Sequence, residues 1–168
     1  MAEKFSALDT DVLLQAEAGE RICGEAHRLL RDAGFIFRAS PTVIRSLERH
    51  RRRTDSVSGA WAENILSNPG HLDLVLDGFD DTQRDVTSIH VNRAIERGII
   101  DERQRGDGLA LVEAAYLDCL LFVTTRAVVL EKRESLTLWL IQDCGMQKMF
   151  IFHPKEIVSF FQTTGMTS

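Results

Sequence analysis

The chain has 168 residues, 44% hydrophobic and 27% charged, enough for one buried core and too few for two comfortable ones, so a single domain over 1–168 is expected. A formal net charge of −5 excludes attraction of the whole surface to a polyanion, and any nucleic-acid contact must use a local patch. No stretch reaches the roughly 18 apolar residues of a membrane span, and Met1-Ala2-Glu3-Lys4-Phe5 carries no apolar signal region. A soluble, cytoplasmic protein without membrane contact is expected.

Ala7-Leu8 ahead of Asp9-Thr10-Asp11 ends a short buried strand and meets a helix start, with Thr10 or Asp11 available as the cap. From Glu20 to Asp32 the apolar residues recur at helical spacing, and Gly34 stops the helix. Phe35-Ile36-Phe37 is a second strand. Ser40 then caps a helix with Pro41 at its first position, running through Val43, Ile44 and Leu47 into arginines. Ser58 to Leu66 forms a further helix, closed by Asn68-Pro69-Gly70, and alternation over Leu72 to Leu76 predicts a short strand.

Asp81 to Arg97 is helical, and Asp101 to Gly106 is a charged loop. A small-residue helix opens at Asp107, followed by a strand from Leu120 to Thr124, a helix from Glu134 to Cys144, a strand from Met149 to Phe152 and a final helix after Pro154. Strand and helix alternate from end to end. The fold class is therefore α/β, a parallel sheet sandwiched by helices.

In such a sheet, residues just beyond the strands' carboxyl ends converge. Asp9 and Asp107 hold such positions. Two carboxylates drawn from distant sequence repel unless a cation lies between them, and oxygen ligands suit Mg²⁺ or Mn²⁺. Arg45, Arg49, His50, Arg51, Arg52 and Arg53 form the candidate nucleic-acid patch, although cations also favour a helix C-terminus. Cys23, Cys119 and Cys144 form no C-x-x-C pair and read as small buried hydrophobes, and the five scattered histidines show no zinc spacing.

Three segments together resemble the PIN domain, the PilT N-terminus-like nuclease fold. They are Leu8-Asp9-Thr10-Asp11-Val12-Leu13-Leu14, Ser40-Pro41-Thr42-Val43-Ile44-Arg45-Ser46-Leu47, and Asp107 through Arg126; Phe152-His153-Pro154-Lys155-Glu156-Ile157 is similar to the family's closing strand and helix. The resemblance implies a three-layer α/β/α fold and an RNA-associated function, as a metal-dependent ribonuclease or an inactive scaffold for RNA or protein. It also implies Mg²⁺ or Mn²⁺ as cofactor and an antitoxin-like protein partner; apolar residues near the C-terminus leave a homodimer open as well.

Carried over residue by residue, Asp9 and Asp107 match the family's first and third acids and are the catalytic and metal-binding candidates. Asp11 stands where the family has asparagine and is a further metal candidate. The second acid falls on Ser46 and the last on Arg126. Glu48 lies about 200° around the helix from Ser46 and faces away. Glu113, about 240° from Asp107, is expected to face solvent, and Asp118 lies too far along the chain to join. Arg126 could neutralise the remaining acids, since a guanidinium fork suits carboxylate pairing, and no metal would then be needed.

The alternative is a haloacid-dehalogenase-type phosphatase. Asp9-Thr10-Asp11-Val12 resembles that family's opening, with Asp9 as nucleophile and Asp11 as acid, and Gly106-Asp107-Gly108 resembles its later acidic motif. Val12 replaces the usual glycine, and Leu111 and Val112 stand where another acid is expected.

Overall fold

A computed structural model describes residues 2–53 and 55–165. Five strands, β1 (Lys4–Leu8), β2 (Phe35–Ala39), β3 (Leu74–Leu76), β4 (Cys119–Val123) and β5 (Phe150–Phe152), form one sheet in the order β3-β2-β1-β4-β5, every neighbouring pair parallel. Parallel neighbours require crossovers, and helices supply them: α1 (Thr10–Glu17), α2 (Arg21–Asp32), α3 (Pro41–Arg51), α4 (Val57–Ser67), α5 (Asp81–Glu96), α6 (Arg105–Tyr116), α7 (Ala127–Glu131), α8 (Arg133–Gln142) and α9 (Pro154–Thr163).

Alternate strand residues feed two cores. Leu8, Phe37 and Val123 pack on one face with α1 to α4 and α9, whereas Ala7, Phe122 and Ile151 pack on the other with α5, α6 and α8. The expected three-layer α/β/α architecture is the observed one, and it is compatible with a PIN-like fold. Among the described residues no helix is long and apolar enough to cross a membrane.

The sequence places most elements within a few residues, with three differences. Asp9 itself, not Thr10 or Asp11, is the N-cap of α1: β1 ends at Leu8 as expected, the helix starts already at Thr10, and the Asp9 carboxylate accepts from the Thr10 amide. The charged loop folds as a 3₁₀ turn at Glu102–Gln104 leading directly into α6, so Asp107 lies in the first turn and does not open the helix. The segment after β4 is two helices, α7 and α8, meeting at Lys132.

Ser40 occupies the N-cap position of α3 as expected, with Pro41 behind it, yet its hydroxyl makes no cap hydrogen bond. Glu113 of α6 replaces it: one carboxylate oxygen accepts from the Thr42 amide and the other from the Thr42 hydroxyl, both at 2.9 Å. A negative group at a helix N-terminus also complements its macrodipole. Glu113 is therefore buried, at 3% exposure, and the solvent-facing expectation for it is wrong. The other end of α3 is fixed by close approach. A Cβ on Gly59 of α4 would meet the Arg53 carbonyl oxygen at 2.5 Å, so only glycine lets the two helices meet there.

Candidate functional site

The strand order reverses between β1 and β4, and a crevice opens beyond their carboxyl ends. Asp9 follows β1 there and Thr124 follows β4. The fold brings Asp9, Asp11, Ser46, Asp107 and Arg126 to one hollow of about 200 Å³, joined by Thr42, Arg49 and Arg103. Residues up to 117 positions apart in sequence thus share one small space, from Asp9 to Arg126. Glu48 lines the neighbouring groove and does not take the place of Ser46, as helical phase predicts. Asp118 sits in a left-handed turn after α6, outside the hollow.

Asp9 is 9% exposed, and both its oxygens are engaged. Oδ1 accepts from the Thr10 amide and Oδ2 from the Thr124 hydroxyl, each at 2.8 Å. Burial pushes its carboxyl above the usual range, against the pull of those two hydrogen bonds, and the neighbouring Asp11 and Asp107 push it further. Thr124 Oγ1 in turn accepts the Arg126 amide at 3.1 Å, which fixes the chain that carries the arginine.

Arg126 lies in the site and pairs with Asp107 twice: Nε is 2.6 Å from Oδ1, and Nη2 donates to Oδ2 at 3.0 Å. Burial also raises the Asp107 carboxyl above its ordinary range, with Arg126 opposing and Asp11 assisting. For Arg126, burial works against the charge but Asp107, Asp9 and Asp11 outweigh it, so the guanidinium is held protonated more firmly than usual.

The carboxylates of the hollow other than Asp11 are already engaged by the protein itself. Asp107 has a guanidinium across both oxygens, Asp9 accepts protein hydrogen bonds on both of its own, and Ser46 and Arg126 supply no carboxylate. Among the described residues no group of three or more His, Cys, Asp or Glu side chains is arranged to hold a metal ion.

The arginine run of α3 divides by helical phase. Arg45, Arg49 and Arg52 line a groove that opens from the hollow, together with Glu48 and Arg105. Their spacing of four and three residues keeps them on one face of the helix. Arg51 instead approaches Glu63 at 3.6 Å on the far side, and Arg53 does not line the groove. His50 bonds the Ser58 hydroxyl at 3.2 Å. Arg103 and Arg105, read from sequence as loop charges, extend the cationic lining, Arg105 while paired with Glu102. The thiols of Cys23, Cys119 and Cys144 are buried, and burial pushes each up to about 12, so they are inert at neutral pH.

No protein-family model matches this chain, and no curated protein matches it.

Proposed function

We propose that this chain is a PIN-like RNA-binding domain in which the Arg126 guanidinium occupies the place of the catalytic metal. The observation carrying the reading is the twofold pairing of Arg126 with Asp107 beside buried Asp9, at the position where the resemblance puts the last acid. A guanidinium neutralises carboxylates as a divalent ion does, but it cannot lower the pKa of a bound water to generate hydroxide. Binding without cleavage follows. Arg49 and Arg103 in the hollow, with Arg45 and Arg52 in the groove beyond it, are the phosphate contacts. A net charge of −5 confines the attraction to that cleft.

The test is fluorescence anisotropy with a labelled single-stranded RNA, with EDTA or with Mn²⁺, alongside a gel assay of cleavage. Expected are equal affinity under both conditions and no cleavage beyond that of Asp9→Asn. Mn²⁺-dependent cleavage abolished by Asp107→Asn would overturn the reading in favour of a nuclease. Turnover of p-nitrophenyl phosphate abolished by Asp9→Asn would overturn it in favour of the phosphatase.

A further inference from the structure

Away from the arginine cleft, a groove of about 720 Å³ runs beside α9 and the β5 edge of the sheet. Phe35, Leu121, Phe150, Phe152 and Phe160 line it, and Phe150 and Phe160 remain 45% and 59% exposed. Contiguous apolar surface of this kind marks a contact site more often than single exposed residues do.

The distribution of lysines indicates what covers it. The chain has four, Lys4, Lys132, Lys148 and Lys155. Three of them surround this groove: Lys155 lines it, Lys4 lies 5.8 Å from the Phe35 ring centroid, and Lys148 lies 4.8 Å from that of Phe150. The acid in the lining, Glu156, is engaged by Arg133 at 2.9 Å and 3.0 Å. The floor is thus aromatic and the rim cationic. These lysines come from β1, from the approach to β5 and from α9, so only the fold assembles them.

We propose that this groove docks an acidic amphipathic helix of a protein partner. From Lys155 to Thr163 the groove follows α9 for about 12 Å at roughly 1.5 Å per residue, which matches about two turns of a partner helix. The partner's apolar stripe fills the phenylalanine floor while glutamates or aspartates on its flanks meet the three lysines. A second copy of this chain fits less well, because a twofold contact sets the same patch against itself and brings lysine against lysine. A flat lipid surface leaves the concavity unfilled.

The probe is a fluorescein-labelled amphipathic peptide of about four turns, leucine on one face and glutamate elsewhere, compared with a counterpart carrying lysine in place of glutamate. Anisotropy against the full chain is expected to give micromolar binding of the glutamate peptide and at least about tenfold weaker binding of the lysine peptide. Phe160→Asp, at a position 59% exposed, and Lys148→Glu with Lys155→Glu should each weaken the glutamate peptide by at least about tenfold while leaving RNA affinity unchanged. Equal binding of both peptides, no binding at all, or binding indifferent to Phe160→Asp overturns the proposal. So does a dimer in sedimentation equilibrium that Phe160→Asp dissociates, which assigns the groove to a second copy. Phe160-dependent binding to phosphatidylglycerol vesicles assigns it to a membrane surface and overturns the proposal equally.

Discussion

Arg126 and Asp107, nineteen residues apart in sequence, are joined by two contacts, Nε to Oδ1 at 2.6 Å and Nη2 to Oδ2 at 3.0 Å. The cation that neutralises Asp107 is thus covalently part of the chain. Arg126→Asp removes it and adds a carboxylate beside Asp9, Asp11 and Asp107. Isothermal titration calorimetry is expected to show Mn²⁺ binding to this variant in the micromolar to low-millimolar range and none to the parent. Parent binding in that range, lost in Asp107→Asn, would refute replacement of the metal.

Burial raises the Asp9 carboxyl, with Thr124 and Thr10 opposing, so the folded state holds its proton more tightly than the unfolded chain. The sign follows from linkage: Asp9 contributes stability at pH below its ordinary 3.8, and this is lost as pH rises through the elevated folded value. Once ionised, the buried carboxylate opposes folding. The Tm of Asp9→Asn relative to the parent is therefore expected to improve between pH 4 and pH 7, whatever the fixed cost of losing one of the two acceptor oxygens; a difference that worsens over that interval would contradict this.

Glu113→Ala removes both acceptors of the Thr42 hydrogen bonds and leaves a cavity between α6 and α3. A loss of about 2–4 kcal/mol in urea unfolding is expected. Glu113→Gln retains one acceptor and should lose less. RNA affinity should fall with the alanine variant even where the protein remains folded, because α3 carries the groove arginines.

Single-strand binding has a salt slope of about −0.7 per neutralised phosphate. Arg45→Ala, Arg49→Ala and Arg52→Ala are each expected to weaken binding and to flatten the slope by about 0.7, whereas Arg51→Ala and Arg53→Ala should leave it unchanged. Equal effects from all five would mean that the whole run acts as a diffuse cloud, not a groove.

His71, in a 3₁₀ turn at Pro69–Leu72 that precedes β3, reaches Glu17 at the end of α1, its Nε2 2.5 Å from the carboxylate and its Nδ1 against the Asn68 carbonyl. Both partners are acceptors, so the arrangement favours the ring that carries a proton on each nitrogen. The Glu17 bond first and the Asn68 carbonyl second raise its pKa above 6.5. This stability is fully present below 6.5 and is lost as pH rises through the raised value. Tm measured across that interval should fall more steeply in the parent than in Glu17→Gln.

Much of the frame was legible because it rests on local rules. Ser40-Pro41 located α3, and alternating segments gave the parallel sheet, since pattern period and proline geometry act within a few residues. The convergence of Asp9, Asp107 and Arg126 followed from strand ends meeting at one edge. The role of Glu113 did not: helical phase told where it stands relative to Asp107 but nothing of the third element, α3, that faces it. The division of the arginine run was contained in the sequence, because positions 45, 49 and 52 share a face at 3.6 residues per turn. The lysine rim was not, since its members are far apart until the sheet forms.

Thr124 Oγ1 both donates to Asp9 and receives the Arg126 amide. Valine has nearly the same shape but neither donates nor accepts, so exchanging one oxygen for a methyl group would keep the outline while leaving the buried Asp9 carboxylate and the Arg126 amide without their shared partner. In a Thr124→Val protein the Asp107 pairing alone would steady the arginine, and serine would be the conservative repair.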